Sequence, residues 1–173
     1  MTVKTVVKLG SAQLATPSMM VEDFSSNDLK VLIQDMKDTM KEKGGVGIAA
    51  PQIGVNLCVT IFGFDKSERY PNENSVPFTI LINPTIEILS DEMIDGWEGC
   101  LSVPGLRGLV SRYQKIKYSG FDENGMSFSR MAEGFHARIV QHECDHLSGI
   151  LYPERLKNIK YFGFEDELSK NAW

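Results

Sequence analysis

Apolar and polar positions divide this chain into a few helical and several extended stretches. Leu29, Leu32, Ile33, Met36 and Met40 recur at helical spacing behind Ser25, Ser26 and Asn27, residues suited to capping a helix start. Gly44-Gly45 closes that run. LCVTIFGF (57–64) predicts a strand, and the polar stretch 65–77 a surface loop. FTILIN and PTIEIL, parted at Asn83-Pro84, predict two further extended segments. KIKYSGFD and MSFSRMAE alternate around the turn ENG, the pattern of a hairpin. Gly134 precedes a second helix over about 135–147, which Ser148-Gly149 ends. The chain after Pro153 is amphipathic and predicts helix at its end. Few helices beside several hairpin-like strands indicate an α+β fold rather than α/β.

Composition narrows the class without naming a chemistry. At 173 residues the length suits one domain spanning 1–173, and 42% hydrophobic with 24% charged residues is a globular balance, which excludes disordered, collagenous and coiled-coil chains. Eighteen Lys+Arg against 23 Asp+Glu give a net charge of −5, so a general nucleic-acid binder is not expected. No run of about 18 apolar residues would span a membrane, and the N-terminus lacks a charged region followed by a continuous apolar one. A soluble cytoplasmic protein is therefore expected. Three cysteines (Cys58, Cys100, Cys144) are too few, and odd in number, for a disulfide scaffold. With three histidines (His136, His142, His146) they fit free thiols or a metal site better.

His142-Glu143-Cys144-Asp145-His146 has the spacing H-E-x-x-H. On a helix, positions i and i+4 lie about 40° apart, so both imidazoles face one point. Glu143 stands beside them, where it can hold a water and take its proton. Such a site needs a third protein ligand. The metzincin continuation fails because Tyr152 stands where a third histidine belongs, whereas Glu165 and Glu167 remain open as gluzincin-type ligands. Cys100 in Glu98-Gly99-Cys100-Leu101-Ser102 is the candidate thiolate, bracketed by Gly96, Gly99 and Pro104 in a tight backbone path. Cys58 inside an apolar strand and Cys144 within the helix read as structural. So does His136, about 120° from His142 around the helix. Gly45-Val46-Gly47-Ile48-Ala49-Ala50 imitates a dinucleotide fingerprint, with Asp65 in the acidic position, but a helix precedes it and Pro51 follows. It reads instead as a connector, or as a wall that lets a substrate backbone pass, with Gln52 as an amide donor.

GVGIAAPQ (45–52), EGCLS (98–102) and HECDH (142–146), in this order, resemble the peptide deformylase family, whose motifs are G-x-G-[LI]-A-A-x-Q, E-G-C-L-S and H-E-x-x-H. The likeness extends to the flanking WEGCLSVPGLRGLV and QHECDHLSG and to the overall length. The resemblance implies antiparallel β-sheets packed around a central metal-binding helix, with an N-terminal helix and a C-terminal helical tail. It implies removal of the N-formyl group from the initiator methionine of nascent chains, with release of formate. Cys100, His142 and His146 would hold one divalent metal, normally Fe2+, with Zn2+, Ni2+ or Co2+ able to occupy the same site. A metal-bound water would attack the formyl carbon with Glu143 as general base, while the Gln52 amide and the Leu101 N–H meet the oxyanion. Gly45, Gly47 and Gly99 would run beside the substrate backbone, Arg107 would approach the peptide, and Val46, Trp97, Phe135 and Ile139 would line a methionine pocket. Asp145 and Arg112 form a candidate ion pair that stiffens the ligand helix. Partners implied are N-formylmethionyl nascent peptides and, transiently, the ribosome, with no sequence-specific nucleic-acid contact and no membrane. Two other readings stand beside this one: a zinc endopeptidase of gluzincin type, and an inactive relative serving as an interaction module.

Overall fold

The computed structural model describes residues 2–170. Helix α1 (Asn27–Glu42) begins where the Ser26 hydroxyl accepts the Leu29 N–H at 3.2 Å, satisfying one of the free donors of the first turn. It stops before Gly44, whose φ of 61° only glycine adopts without strain, and the Gly45 N–H closes back onto the Met40 carbonyl at 2.9 Å. Its apolar stripe of Leu29, Leu32, Ile33, Met36 and Met40 is wholly buried.

The strands follow as β1 (Gly47–Ala49), β2 (Val59–Phe64), β3 (Val76–Ile88), β4 (Met93–Cys100), β5 (Val103–Tyr113), β6 (Lys115–Phe121), β7 (Ser127–Glu133) and, after helix α2 (Gly134–Leu147), β8 (Phe162–Phe164). They form two antiparallel sheets, ordered β1-β2-β3-β6-β7 and β4-β5-β8. Helix α1 packs through its stripe on Ile48, Val59, Ile61 and Ile82 of the larger sheet. Helix α2 touches both sheets, burying Ala137, Ile139 and Val140 against Phe62, Leu81, Ile116 and Tyr118. The fold is thus α+β with α2 held between two sheets, and β1 lies on the open edge of the larger one.

Three local expectations change. FTILIN and PTIEIL are not separate segments but one strand, β3, whose register shifts between Ile82 and Thr85. Pro84 has no N–H to give a ladder, and the irregularity puts it where none is required. Asn83 takes a φ of 51° there, and its side chain bonds the Val21 N–H and carbonyl, each at 2.9 Å. In the tail, the helix expected near the end is the short α3 (Glu165–Leu168), preceded by 3-10 turns and by β8, which the pattern does not announce. Cys58 sits immediately before β2 rather than inside it, half-buried.

Candidate metal centre

The β4–β5 hairpin and α2 meet at three donors. His142 and His146, one turn apart on α2, have ring centroids 5.0 Å apart, and the last residue of β4 brings Cys100 Sγ to 3.3 Å from His146 Nε2. One ligand atom from each of the three lies within 4.8 Å of the others, and all three residues are buried. A thiolate with two imidazoles is a donor set for a borderline-soft divalent ion, and three protein ligands leave a coordination position open. Neither Glu165 nor Glu167 belongs to this cluster: Glu165 pairs with Arg107 at 2.6 Å and Glu167 with Lys170 at 2.8 Å.

Glu98 orients the cluster. Its buried carboxylate accepts from His142 Nδ1 at 2.8 Å, which leaves Nε2 for the centre, and also from Arg112 Nε at 2.9 Å, Arg112 Nη2 at 3.0 Å and Arg138 Nη1 at 2.8 Å. Burial alone would raise the Glu98 carboxyl, but the bonds and charges of His142 and Arg112 hold it well below the usual carboxylate range. The same balance holds the Cys100 thiol low: burial opposes the thiolate, and His146 and His142 outweigh it. Arg112 bonds Asp145 at 2.5 Å, and Asp145 in turn holds Arg155 at 2.9 Å. The expected Arg112–Asp145 pair is therefore present, as one arm of a larger network.

Glu143 is 4% exposed, and its Oε2 is buried without a hydrogen-bond partner among the described residues. Burial pushes its carboxyl up to about 7, against the pull of both histidines. A proton acceptor so placed can exchange protons near neutral pH. Gly47 makes room for it: a Cβ there would lie 2.3 Å from Glu143 Oε1. Gln52 is fixed by the Ala49 N–H on Oε1 at 2.9 Å, and its Nε2 donates to Cys100 Sγ at 3.3 Å and to Ser102 Oγ at 3.0 Å. Leu101 occupies the turn between Cys100 and Val103.

These groups face one cavity, partly open to solvent. Val46, Gly47, Gly99, Leu101, Phe135 and Ile139 line it. Gly45 lies just outside, under Leu101. Trp97 is not part of the lining, because alternation along β4 turns it away from the face that carries Glu98. Arg107 is also outside, tied to Glu165, to the Arg69 carbonyl at 3.4 Å and over the Tyr70 ring at 5.2 Å. The sequence reading does not anticipate Arg69, Tyr70 and Arg138 in the lining, nor the part Glu98 plays. The loop at 65–77 thus contributes to the cavity wall, with Tyr70 against Phe135 at 4.7 Å between ring centroids. His136 faces away, bonded to the Tyr118 hydroxyl at 3.2 Å, and Cys144 packs against the core of Phe62 and Val140.

Comparison with known proteins places this geometry. Residues 3–161 match the family described as polypeptide deformylase. The chain is 56% identical over 166 residues to peptide deformylase 2 of Ralstonia nicotianae, covering 96% of this chain and 94% of that one. With peptide deformylase 1 of Bordetella pertussis it shares 55% over 166 residues, at the same coverage. Among solved structures it resembles the class I type b peptide deformylase of Acinetobacter baumannii bound to Met-Ala-Ser, with a TM-score of 0.85, 41% identity, and coverage of 89% of this chain and 98% of that one. The actinonin-bound form of the same enzyme gives a TM-score of 0.79 at 38% identity, covering 91% and 100%. A match over nearly the whole length, joined to a Cys-His-His cluster beside a buried glutamate, leads to one conclusion: the chain belongs to the polypeptide deformylase family.

Proposed function

We propose that the chain hydrolyses the N-formyl group from the initiator methionine of nascent polypeptides, releasing formate, and that Glu143 moves the proton in that reaction. The observation that carries this reading is the buried, unpartnered Glu143 Oε2 beside the Cys100-His142-His146 cluster. Cys100 Sγ and the two imidazoles would hold a divalent ion, ferrous iron on this proposal with zinc, nickel or cobalt as substitutes, which would supply Lewis-acid chemistry and make water easier to deprotonate.

The chain's own residues do the rest. Glu143 takes the water's proton as oxygen attacks the formyl carbon, and returns it to the departing amine nitrogen, so the carboxylate ends as it began. The Gln52 amide exchanges its bond to Ser102 for one to the developing oxyanion, and the Leu101 N–H supplies a second donor. Val46, Phe135 and Ile139 receive the methionine side chain and exclude water from it. The open edge of β1 at Gly47 offers main-chain groups to an extended peptide, with Gly99 on the opposite wall and Gly45 beyond it. The peptide named with the Acinetobacter relative, Met-Ala-Ser, suits such a seat. No described helix is long and apolar enough to cross a membrane. The same proposal puts the reaction in the cytoplasm, with transient visits to the ribosome.

Formate release from formyl-Met-Ala-Ser, by protein purified anaerobically with iron, tests the reading. Release is expected, with Cys100→Ala losing bound metal and Glu165→Ala keeping it. A chain that left the formyl group in place but cut an internal peptide bond would restore the gluzincin alternative.

A further inference from the structure

Beside the metal centre runs a groove whose charge opposes that of the whole chain. It joins the cavity at Arg69, Cys100 and Leu101, which line both. From there it passes between the N-terminal segment, at Thr5, Val6 and Lys8, and the start of β5 at Pro104-Gly105, with Lys43 on its wall. Lys4 also reaches it but is tied to Asp35 at 3.1 Å. Glu165, the acidic side chain in the lining, is neutralised by Arg107 at 2.6 Å. Lys8, Lys43 and Arg69 form no ion pair among the described residues. Three uncommitted cations therefore border one passage on a chain of net charge −5.

That passage starts at the cavity mouth. A peptide with its formyl group at the cluster and its methionine against Val46, Phe135 and Ile139 must carry its following residues out past Leu101. Extended chain advances about 3.3 Å per residue, so side chains a few positions beyond the methionine meet the groove. Resting on the deformylase reading above, we propose that this groove extends the substrate site and selects nascent chains with acidic side chains at about their third to fifth positions, Lys8 and Lys43 being specificity-determining residues. A cleft walled by one sign of charge concentrates the opposite sign. Each solvent-exposed pair contributes modestly, and two or three together amount to about tenfold in kcat/KM. Because these contacts lie away from the bond that breaks, they act equally on ground and transition states and enter KM, leaving kcat in place.

The test compares three substrates: formyl-Met-Ala, which ends before the groove, and formyl-Met-Ala followed by three aspartates or by three lysines. The wild-type enzyme is expected to favour the aspartate peptide over the lysine peptide by about tenfold in kcat/KM at low ionic strength, through KM, with the ratio shrinking as salt shortens the screening length. In the double variant Lys8→Glu/Lys43→Glu the ratio is expected to fall to unity or invert, while kcat/KM for formyl-Met-Ala stays unchanged. Equal turnover of the two long peptides by the wild type would overturn the proposal, as would an aspartate preference that survives in the double variant. Absence of formate from formyl-Met-Ala itself would instead count against the deformylase reading.

Discussion

Replacing Glu98 by Gln removes one negative charge from the site while keeping the shape of the side chain. The carboxylate accepts four hydrogen bonds: Oε1 takes Arg112 Nε at 2.9 Å and Arg138 Nη1 at 2.8 Å, and Oε2 takes Arg112 Nη2 at 3.0 Å and His142 Nδ1 at 2.8 Å. Whichever way the amide turns, its NH₂ faces two donors and only its oxygen still accepts. Two hydrogen bonds involving charged groups are lost, each contributing about 1.5–3 kcal/mol, so the cost is about 3–6 kcal/mol. Breaking a buried ion pair by removing one partner gives a similar figure, about 3–5 kcal/mol, since Arg112 and Arg138 keep their charges out of water. Where the NH₂ turns toward Nδ1, His142 loses the partner that fixes its tautomer; where it turns toward Arg138, the ring keeps only a neutral acceptor in place of a carboxylate. Either way metal affinity should fall, by about 10–100-fold. Urea unfolding reads the first effect, and metal competition against a chelator the second. Stability within about 1 kcal/mol of wild type and affinity within about twofold would refute the role given to Glu98.

Gly47→Ala places a Cβ 2.3 Å from Glu143 Oε1 and 2.7 Å from Cδ, so the carboxylate must move; kcat for formate release is expected to drop about 10²-fold or more with metal content unchanged, and full kcat would contradict the contact. His136 is held below its ordinary pKa by burial and then by the charge of Arg130. Its neutral form is favoured in the folded state, so its contribution to stability is complete above about pH 6.5 and is lost as pH falls from there toward the folded value. The urea midpoint of the wild type should therefore fall more between about pH 8 and pH 5 than that of His136→Gln, and equal falls would exclude this origin.

The parts of this fold that were legible in the sequence are those whose signal is local. The stripe Leu29–Met40 on α1 and the i, i+4 histidines of α2 need only helical periodicity, and the two motif histidines bring their own geometry. β4 shows the opposite case. Its inward positions are Gly96, Glu98 and Cys100, where alternation would require apolar residues, and so it does not read as a strand. Gly96 is there because a Cβ would lie 2.7 Å from Arg138 Cζ, a residue 42 positions away. The role of Glu98 was illegible for the same reason, its partners being up to 44 positions distant. Tyr70 and Arg69 sit in a polar stretch with no periodicity, and only the folded chain brings them to Phe135 and Gly99. Cys100 became a firm candidate through the order of three motifs, which spacing alone could not supply against Glu165 and Glu167.

The proton role of Glu143 is open to a single comparison: formate release from formyl-Met-Ala-Ser by wild type and by Glu143→Gln, each loaded to the same measured iron content. Equal loading is attainable because Glu143 is not one of the three clustered donors. Wild-type release with a loss of about 10²–10⁴-fold in kcat for the variant is expected. A Glu143→Gln protein that turned over at the wild-type rate with its metal in place would show that the proton moves by another route.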